Sequence, residues 1–284
     1  MPNALERKMR TIAHLSDPHF GRIEPATVQA LIATVTEARP DVVVVSGDLT
    51  QRAKEREFQQ ARQFLDALPG PQIVVPGNHD VPLYNVLARA LKPLRDYQRY
   101  ITADLEPYYS DDEITIVGIN TARSLTFKSG RINSRQVASS CARLESCGEH
   151  RTRLIVSHHP FDLPETRELH GLVGRAHMAM AGFARCRVDI ILSGHLHVSH
   201  ASESATRYKI PGHSALVIHA GTATSTRARG ELNSFNMLQV DRSSVAIQCL
   251  TWNREHGSFL LSDTAQFHRT PVGWSRIPPP EAMP

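Results

Sequence analysis

Five short polar clusters carry residue types able to do chemistry: Asp17-Pro18-His19, Gly47-Asp48, Gly77-Asn78-His79-Asp80, His158-His159 and Gly194-His195-Leu196-His197. Imidazole nitrogen, carboxylate oxygen and amide oxygen are donors for borderline and hard divalent cations. None of the clusters offers a thiolate, which argues against a structural zinc site of the cysteine type. Asp17 and His19, like His195 and His197, are two residues apart, so on extended backbone each pair faces one side. Asp48 is the lone carboxylate of its turn and is placed to bridge two cations and offset their repulsion. Glycines at 47, 77 and 194 let backbones approach closely.

Taken singly, each cluster has an ordinary explanation. Asp-Pro-His is a common turn. Gly-Asp after a strand is weak evidence, Asp80 suits a helix cap, and a lone Gly-His-x-His is a surface turn. What binds the five together is their position, since each directly follows a short apolar run.

Those runs define the elements that must place the clusters. Residues 11–15, 41–45, 72–75, 113–119, 153–156 and 188–192 read as strands; the β-branched run at 42–45 is typical of a strand buried on both faces. Helical spacing fills 25–39 and 53–68, then 84–100 with Pro93 as an interruption. Asn133 or Ser134 caps a helix running to Cys147, and another runs from Arg175 to Arg187. From residue 208 the character changes to consecutive strands at 208–210, 215–220, 234–240 and 244–252. Strand–helix alternation followed by strands predicts an α/β fold of two sheets packed face to face with helices outside. In open α/β sheets the carboxyl ends of strands form the site edge, so five strands would deliver their clusters to one place.

The bulk numbers fit such a protein. The 284 residues are 41% hydrophobic and 21% charged, with a formal net charge of +4, 15 histidines and four cysteines. The basic excess is spread along the chain and forms no nucleic-acid stripe, so a nucleic-acid partner is not expected. The cysteines, at 141, 147, 186 and 249, have no metal-ligand spacing and read as reduced thiols. No apolar signal core opens the chain, and no run approaches the ~18 apolar residues of a membrane span. A cytoplasmic location is the expectation. The Pro-rich end, RIPPPEAMP, reads as a loose tail.

The ordered set of D-x-H at 17–19, G-D at 47–48, G-N-H-D at 77–80, H-H-P at 158–160 and G-H-x-H at 194–197 resembles the calcineurin-like metallophosphoesterase superfamily. The resemblance implies a four-layer αββα sandwich of two mixed β-sheets with a dinuclear metal centre at one edge. It places a single domain at 11–262, with 1–10 and 263–284 peripheral. It implies one metal held by Asp17, His19 and His197, another by Asn78, His158 and His195, and Asp48 bridging them. The metals would be Mn, Fe or Zn, and a hydroxide shared between them would attack phosphorus in line. His79 matches the family's non-ligand histidine near the substrate and is the candidate proton donor to the leaving group. Asp80 is taken with it as a catalytic candidate, in an orienting or capping role.

Motif spacing and size look like the bacterial class III cyclic nucleotide phosphodiesterases and their neighbours. The expected substrate is a small-molecule phosphodiester, with 3',5'-cyclic AMP first. Glycerophosphodiesters and nucleotide-linked lipid precursors are the alternatives, and a nuclease or a non-catalytic scaffold ranks below them. A lipid precursor would want an apolar lid, for which residues 84–109 are the candidate. Loops at 120–131, 159–175 and after Ala220 would shape the pocket, and Arg123, Arg227 and Arg229 could meet a phosphate. A homodimer is compatible with all of this. Of the paired histidines, His158 is the ligand and His159 is expected to point away from the ion.

Overall fold

The computed structural model describes residues 8–83, 86–124, 128–148, 150–164, 171–226 and 231–278. Tyr84, Arg227 and Arg229 lie outside the described residues.

Backbone hydrogen bonds sort the strands into two sheets. In the first, β1 (Arg10–Leu15), β2 (Val42–Val45) and β3 (Gln72–Val74) run parallel. In the second, β4 (Tyr108–Ser110) lies antiparallel beside β5 (Ile114–Ile119), which begins a parallel set with β6 (Thr152–Ser157) and β7 (Ile190–Ser193). β8 (His200–Glu203) closes the far edge of that sheet antiparallel to β9 (Leu216–His219), itself parallel to β7. β10 (Ser234–Val240) returns antiparallel to β1, and β11 (Ser244–Asn253), β12 (Ser258–Thr270) and β13 (Gly273–Ile277) continue outward. The result is one seven-stranded and one six-stranded sheet.

The period of two along each strand assigns the layers. Val42 and Val44 enter the core between the sheets with Leu154, Val156, Ile190 and Leu192. Val43 and Val45 face outward, into a cluster with residues of α1 (Pro25–Ala38), α2 (Glu55–Ala67) and α4 (Arg95–Tyr100). On the other sheet, Ile155 and Ile191 face residues of α5 (Ser134–Glu145) and α6 (Ala176–Arg185). Double burial, worth roughly 1.5–3 kcal/mol for each large aliphatic side chain, is why these strands read as unbroken apolar runs. The order helix, sheet, sheet, helix is the predicted four-layer arrangement.

The chain departs from expectation in several places. Residues 208–210 form no strand; Tyr208 is buried and its hydroxyl donates to Phe161 O, which holds the segment as a loop. Residues 263–277 are not a peripheral tail, because they finish β12 and form β13, with Phe267 and Trp274 in the inter-sheet core. Cys141 and Cys186 are joined as a disulfide, not free thiols: packing of α5 on α6 brings their Cα atoms to 5.4 Å. That proximity leaves no trace in their sequence spacing. The expected break at Pro93 separates α3 (Val86–Leu91) from α4. Among the described residues, no helix is long and apolar enough to cross a membrane.

Candidate metal centre

All five clusters follow the carboxyl ends of parallel strands: β1, β2 and β3 in one sheet, β6 and β7 in the other. The donors converge in two groups. In the first, Asp17 Oδ1 lies 3.1 Å from His197 Nε2 and 3.4 Å from His19 Nε2, and the two imidazole nitrogens are 3.2 Å apart. In the second, His158 Nε2 lies 3.2 Å from both Asn78 Oδ1 and His195 Nδ1. Asp48 stands between the groups. Its Oδ1 accepts the backbone N–H of His79 (2.7 Å), while Oδ2 is 3.3 Å from His158 Nε2 and 3.9 Å from His19 Nε2.

The backbone that aims these side chains is not the extended chain assumed from spacing. Asp17, His19, Asp48, His195 and His197 all have left-handed φ, between 51° and 70°. Such conformations cost of order 1–3 kcal/mol where the residue is not glycine, and they cluster at functional sites. Asp17 and His19 therefore converge through a tight turn rather than strand alternation. Its bonds are Asp17 N–H to Gly47 O and His19 N–H to Asp48 O.

Close approach sets the glycines. A Cβ on Gly77 would lie 2.1 Å from Asp48 Oδ1, and one on Gly194 would lie 2.6 Å from Asp17 Oδ2.

The donor set fits divalent cations. Asp17 is fully buried, and its Oδ1 has no hydrogen-bond donor among the described residues although two imidazoles crowd it. Burial alone would raise the Asp17 carboxyl; His197 and His19 outweigh it and hold it well below the usual carboxylate range. Asp48 is held down in the same way, against burial, chiefly by His158. His158 moves the other way: burial would lower it, yet Asp48 and then Asp17 raise it to about 9. Without a metal, the pocket recruits a proton to supply the positive charge it demands. His158 Nδ1–H donates to Ser46 O (2.8 Å), which fixes the ring with Nε2 toward Asp48.

His79 and Asp80, expected together, take different places. His79 is partly exposed, donates from Nδ1 to Gln51 O (2.8 Å), and sets its ring edge-on to His19 at 4.9 Å. A ring nitrogen of His79 also comes within 4.8 Å of donors on His19 and Asp48. Asp80 is buried and accepts from the N–H groups of Leu49, Thr50 and Gly77 and from the Thr50 hydroxyl. Burial and Asp48 push it up to about 6. With its oxygens so engaged it ties together the turns bearing Asp48 and Asn78.

His159 does not swing to the opposite side, because strand geometry ends at Ser157. Its ring packs 4.9 Å from that of His195, and its Nδ1 pairs with the Thr121 hydroxyl at 2.8 Å. Arg123 is committed to the Asn120 and Ala122 carbonyls and to Gln136. Of the lid candidate, Leu87 and Leu91 are exposed on α3. Sequence reasoning missed the braces of the first turn: Thr222 and Thr224 hydroxyls donate to the carbonyls of Asp17 and Pro18, both at 2.8 Å. Their signal was available, since Gly221-Thr222-Ala223-Thr224 also follows an apolar strand.

Fold and candidate site together are those of the metallophosphoesterase class. The chain belongs to the calcineurin-like phosphoesterase family, which it matches over residues 10–199. Dimetal members of that family use two metal ions. The chain is 31% identical over 165 residues to the glycerophosphodiester phosphodiesterase GpdQ of Enterobacter lignolyticus (strain SCF1), covering 54% of this chain and 58% of that protein. It thus spans little more than half the length of that relative. It is 24% identical over 201 residues to a probable cyclic nucleotide phosphodiesterase of a Synechococcus strain, covering 66% and 73% of the two chains. Its fold is shared with a dimetal phosphatase from Danio rerio (TM-score 0.63, 15% identity, 89% and 98% coverage). It is shared too with the purple acid phosphatase PPD1 of yellow lupin, Lupinus luteus (TM-score 0.67, 13% identity, 92% and 54% coverage).

Proposed function

We propose that this chain hydrolyses a small-molecule phosphodiester, with Asp17, His19 and His197 holding one divalent ion, Asn78, His158 and His195 a second, and Asp48 shared. The observation that carries the reading is Asp48 Oδ2, which sits between the two imidazole groups while Oδ1 is occupied by the His79 N–H. Two carboxylates against two divalent ions leave the centre net positive, which draws a phosphate ester.

Bound there, the ions would supply Lewis acidity at the phosphoryl oxygens and acidify water. The chain's own residues do the rest. Ser46 O fixes the His158 tautomer, the Ser16 hydroxyl and His195 N–H hold Asp17 Oδ2, and Asp80 ties two ligand turns together. Gln51 O orients His79, which would give a proton from Nε2 to the leaving alkoxide.

Glycerophosphodiesters rank first as substrates, because the relative with the higher identity carries that name. Cyclic nucleotides are the second reading, favoured by the relative matched over more of its length. The order of the two reverses the expectation from motif spacing. The domain we propose runs from Arg10 to Ile277, since β13 ends the larger sheet.

The test is a panel of bis-p-nitrophenyl phosphate, glycerophosphoethanolamine, cyclic AMP, a UDP-sugar lipid and single-stranded DNA, with Mn, Fe(II) or Zn added to chelator-treated protein. Metal-dependent turnover of a small diester is expected. Activity confined to monoesters, or diester turnover without metal, would overturn the proposal.

A further inference from the structure

The edge of the molecule opposite the metal centre holds a second polar concavity. It lies at the amino ends of β6, β7 and β9, whereas the histidine clusters follow the carboxyl ends. A recess of about 100 Å³ is lined by Arg151, Arg153, Arg187, Arg242, Arg269 and one carboxylate, Asp189. Five guanidinium groups line it against one carboxylate, and Arg151 also lies 3.9 Å from the exposed Asp112, so the recess keeps a clear positive excess. Arg187, Asp189 and Arg269 also wall a neighbouring cavity of about 400 Å³, whose lining includes Ile210, Pro211, Val272 and His213.

The arginines are arranged rather than scattered. Arg269 is pinned by an ion pair to Asp189 (2.6 Å) and lies over the Trp274 ring at 4.6 Å. Arg153 is 8% exposed and donates to the Cys186 and Gly148 carbonyls, neutral acceptors that leave its charge uncompensated. The bond to Cys186 O also covers the carbonyl end of α6, which would otherwise repel an anion. Arg242 has His150 as its side-chain partner (3.0 Å). The exposed side chain of Arg187 has no hydrogen-bond or ion-pair partner among the described residues. Clustered guanidiniums repel one another, and planar forks of this kind suit phosphate oxygens. In the larger cavity, His213 Nε2 is buried without a partner among the described residues.

We propose that this concavity is a second ligand site, which takes a nucleoside diphosphate with its phosphates among the arginines and its base in the larger cavity. The split of lining fits the two halves of that molecule. The charged recess suits a pyrophosphate, and the cavity of about 400 Å³, where Ile210, Pro211 and Val272 stand beside polar groups and the His213 imidazole, suits a heterocycle with hydrogen-bonding edges. The site is independent of the metal centre and does not rest on the reaction proposed above.

The test is calorimetric titration of the metal-loaded full chain with α,β-methylene-ADP and with inorganic tripolyphosphate. It is repeated on Arg187→Ala and Arg242→Gln, neither of which disturbs a buried contact. The expected result is a saturable diphosphate site weakened about tenfold or more in each variant, the loss of one charge-assisted hydrogen bond. Bis-p-nitrophenyl phosphate turnover should be unchanged in both. The nucleotide should also bind more tightly than tripolyphosphate. Binding that survives both substitutions, absence of saturable binding, or equal affinity for tripolyphosphate would each overturn the proposal.

Discussion

His158 and His159 stand edge to face, with ring centroids 4.8 Å apart, yet His158 is the one whose Nε2 reaches Asp48, at 3.3 Å. The difference lies in what holds each Nδ1. His158 Nδ1 is tied to a main-chain carbonyl across the sheets, and His159 Nδ1 to the Thr121 hydroxyl. His158→Ala should therefore remove one of two metal equivalents per chain, measured by elemental analysis after gel filtration. His159→Ala should keep both and lower the melting temperature by removing a buried ring and its hydrogen bond with the Thr121 hydroxyl, worth about 1 kcal/mol beyond the lost packing. Equal metal loss from both variants would sink the assignment.

Asp48→Asn keeps the shape of the shared side chain and removes its charge. Two cations then face each other with one carboxylate fewer between them. Diester turnover should fall at least about a hundredfold, and metal affinity should weaken at both sites together. Loss of one metal with the other held at native affinity would show that Asp48 serves a single site.

His79 is the residue on which geometry and family resemblance pull apart. Its donors lie close enough to His19 and Asp48 to count as a ligand set, whereas the resemblance makes it a proton donor. His79→Ala should retain both metals and lower kcat by roughly 10²–10⁴-fold for alkyl leaving groups. The loss should be much smaller for p-nitrophenolate, which leaves without a proton. A metal equivalent lost from this variant would move His79 into the coordination set.

The clusters were legible because chemistry at a strand end interrupts an apolar run, and the interruption is visible in one dimension. The local geometry was not legible. Asp17 and His19 face one centre through left-handed turns, which residue spacing does not encode. The β12–β13 hairpin was hidden because Leu260 and Leu261 are exposed and most of β12 faces solvent, so no burial pattern marks it. The arginine recess was also invisible, since its members come from strand ends and turns scattered between residues 151 and 269.

The protonation of His158 makes a prediction about pH. In the metal-free protein its imidazole is raised from 6.5 to about 9, against burial, by Asp48 and Asp17. A raised imidazole stabilises the fold fully below pH 6.5 and loses that contribution as pH climbs through about 9. Cys147, lowered from 9.0 to about 7 by Tyr108 and Ser110 hydroxyls despite burial, acts oppositely in the same interval. Melting curves should therefore be taken on Cys147→Ser with chelator present, and their midpoint should fall between about pH 7.5 and 9, above the range in which the buried His14, His19, His159 and His195, all held below 6.5, stop adding stability. Mn affinity should rise over the same interval, because ligation needs the neutral ring. A chelated midpoint that stays level or rises would contradict this account of His158.

Gly77 tests whether the centre depends on close packing of backbone against carboxylate. Its φ is −106°, which any residue adopts, so Gly77→Ala introduces no backbone strain. The added Cβ would meet Asp48 Oδ1 at 2.1 Å and the Asp48 backbone nitrogen at 2.4 Å. Neither can retreat cheaply, because Asp48 is buried and its Oδ1 also accepts the His79 N–H. Displacement by about an ångström at a catalytic site costs on the order of a hundredfold in rate. Gly77→Ala should accordingly lose about that much diester turnover and weaken both metals, with an unchanged far-ultraviolet circular dichroism spectrum. Gly148→Ala is the control: its Cβ would meet nothing within 4 Å, but its φ of 86° carries the strain that Gly77 lacks. It should lower stability and leave turnover intact. If Gly77→Ala turned over normally, Asp48 could not be held as tightly as its contacts require, and the shared-carboxylate centre would have to be abandoned.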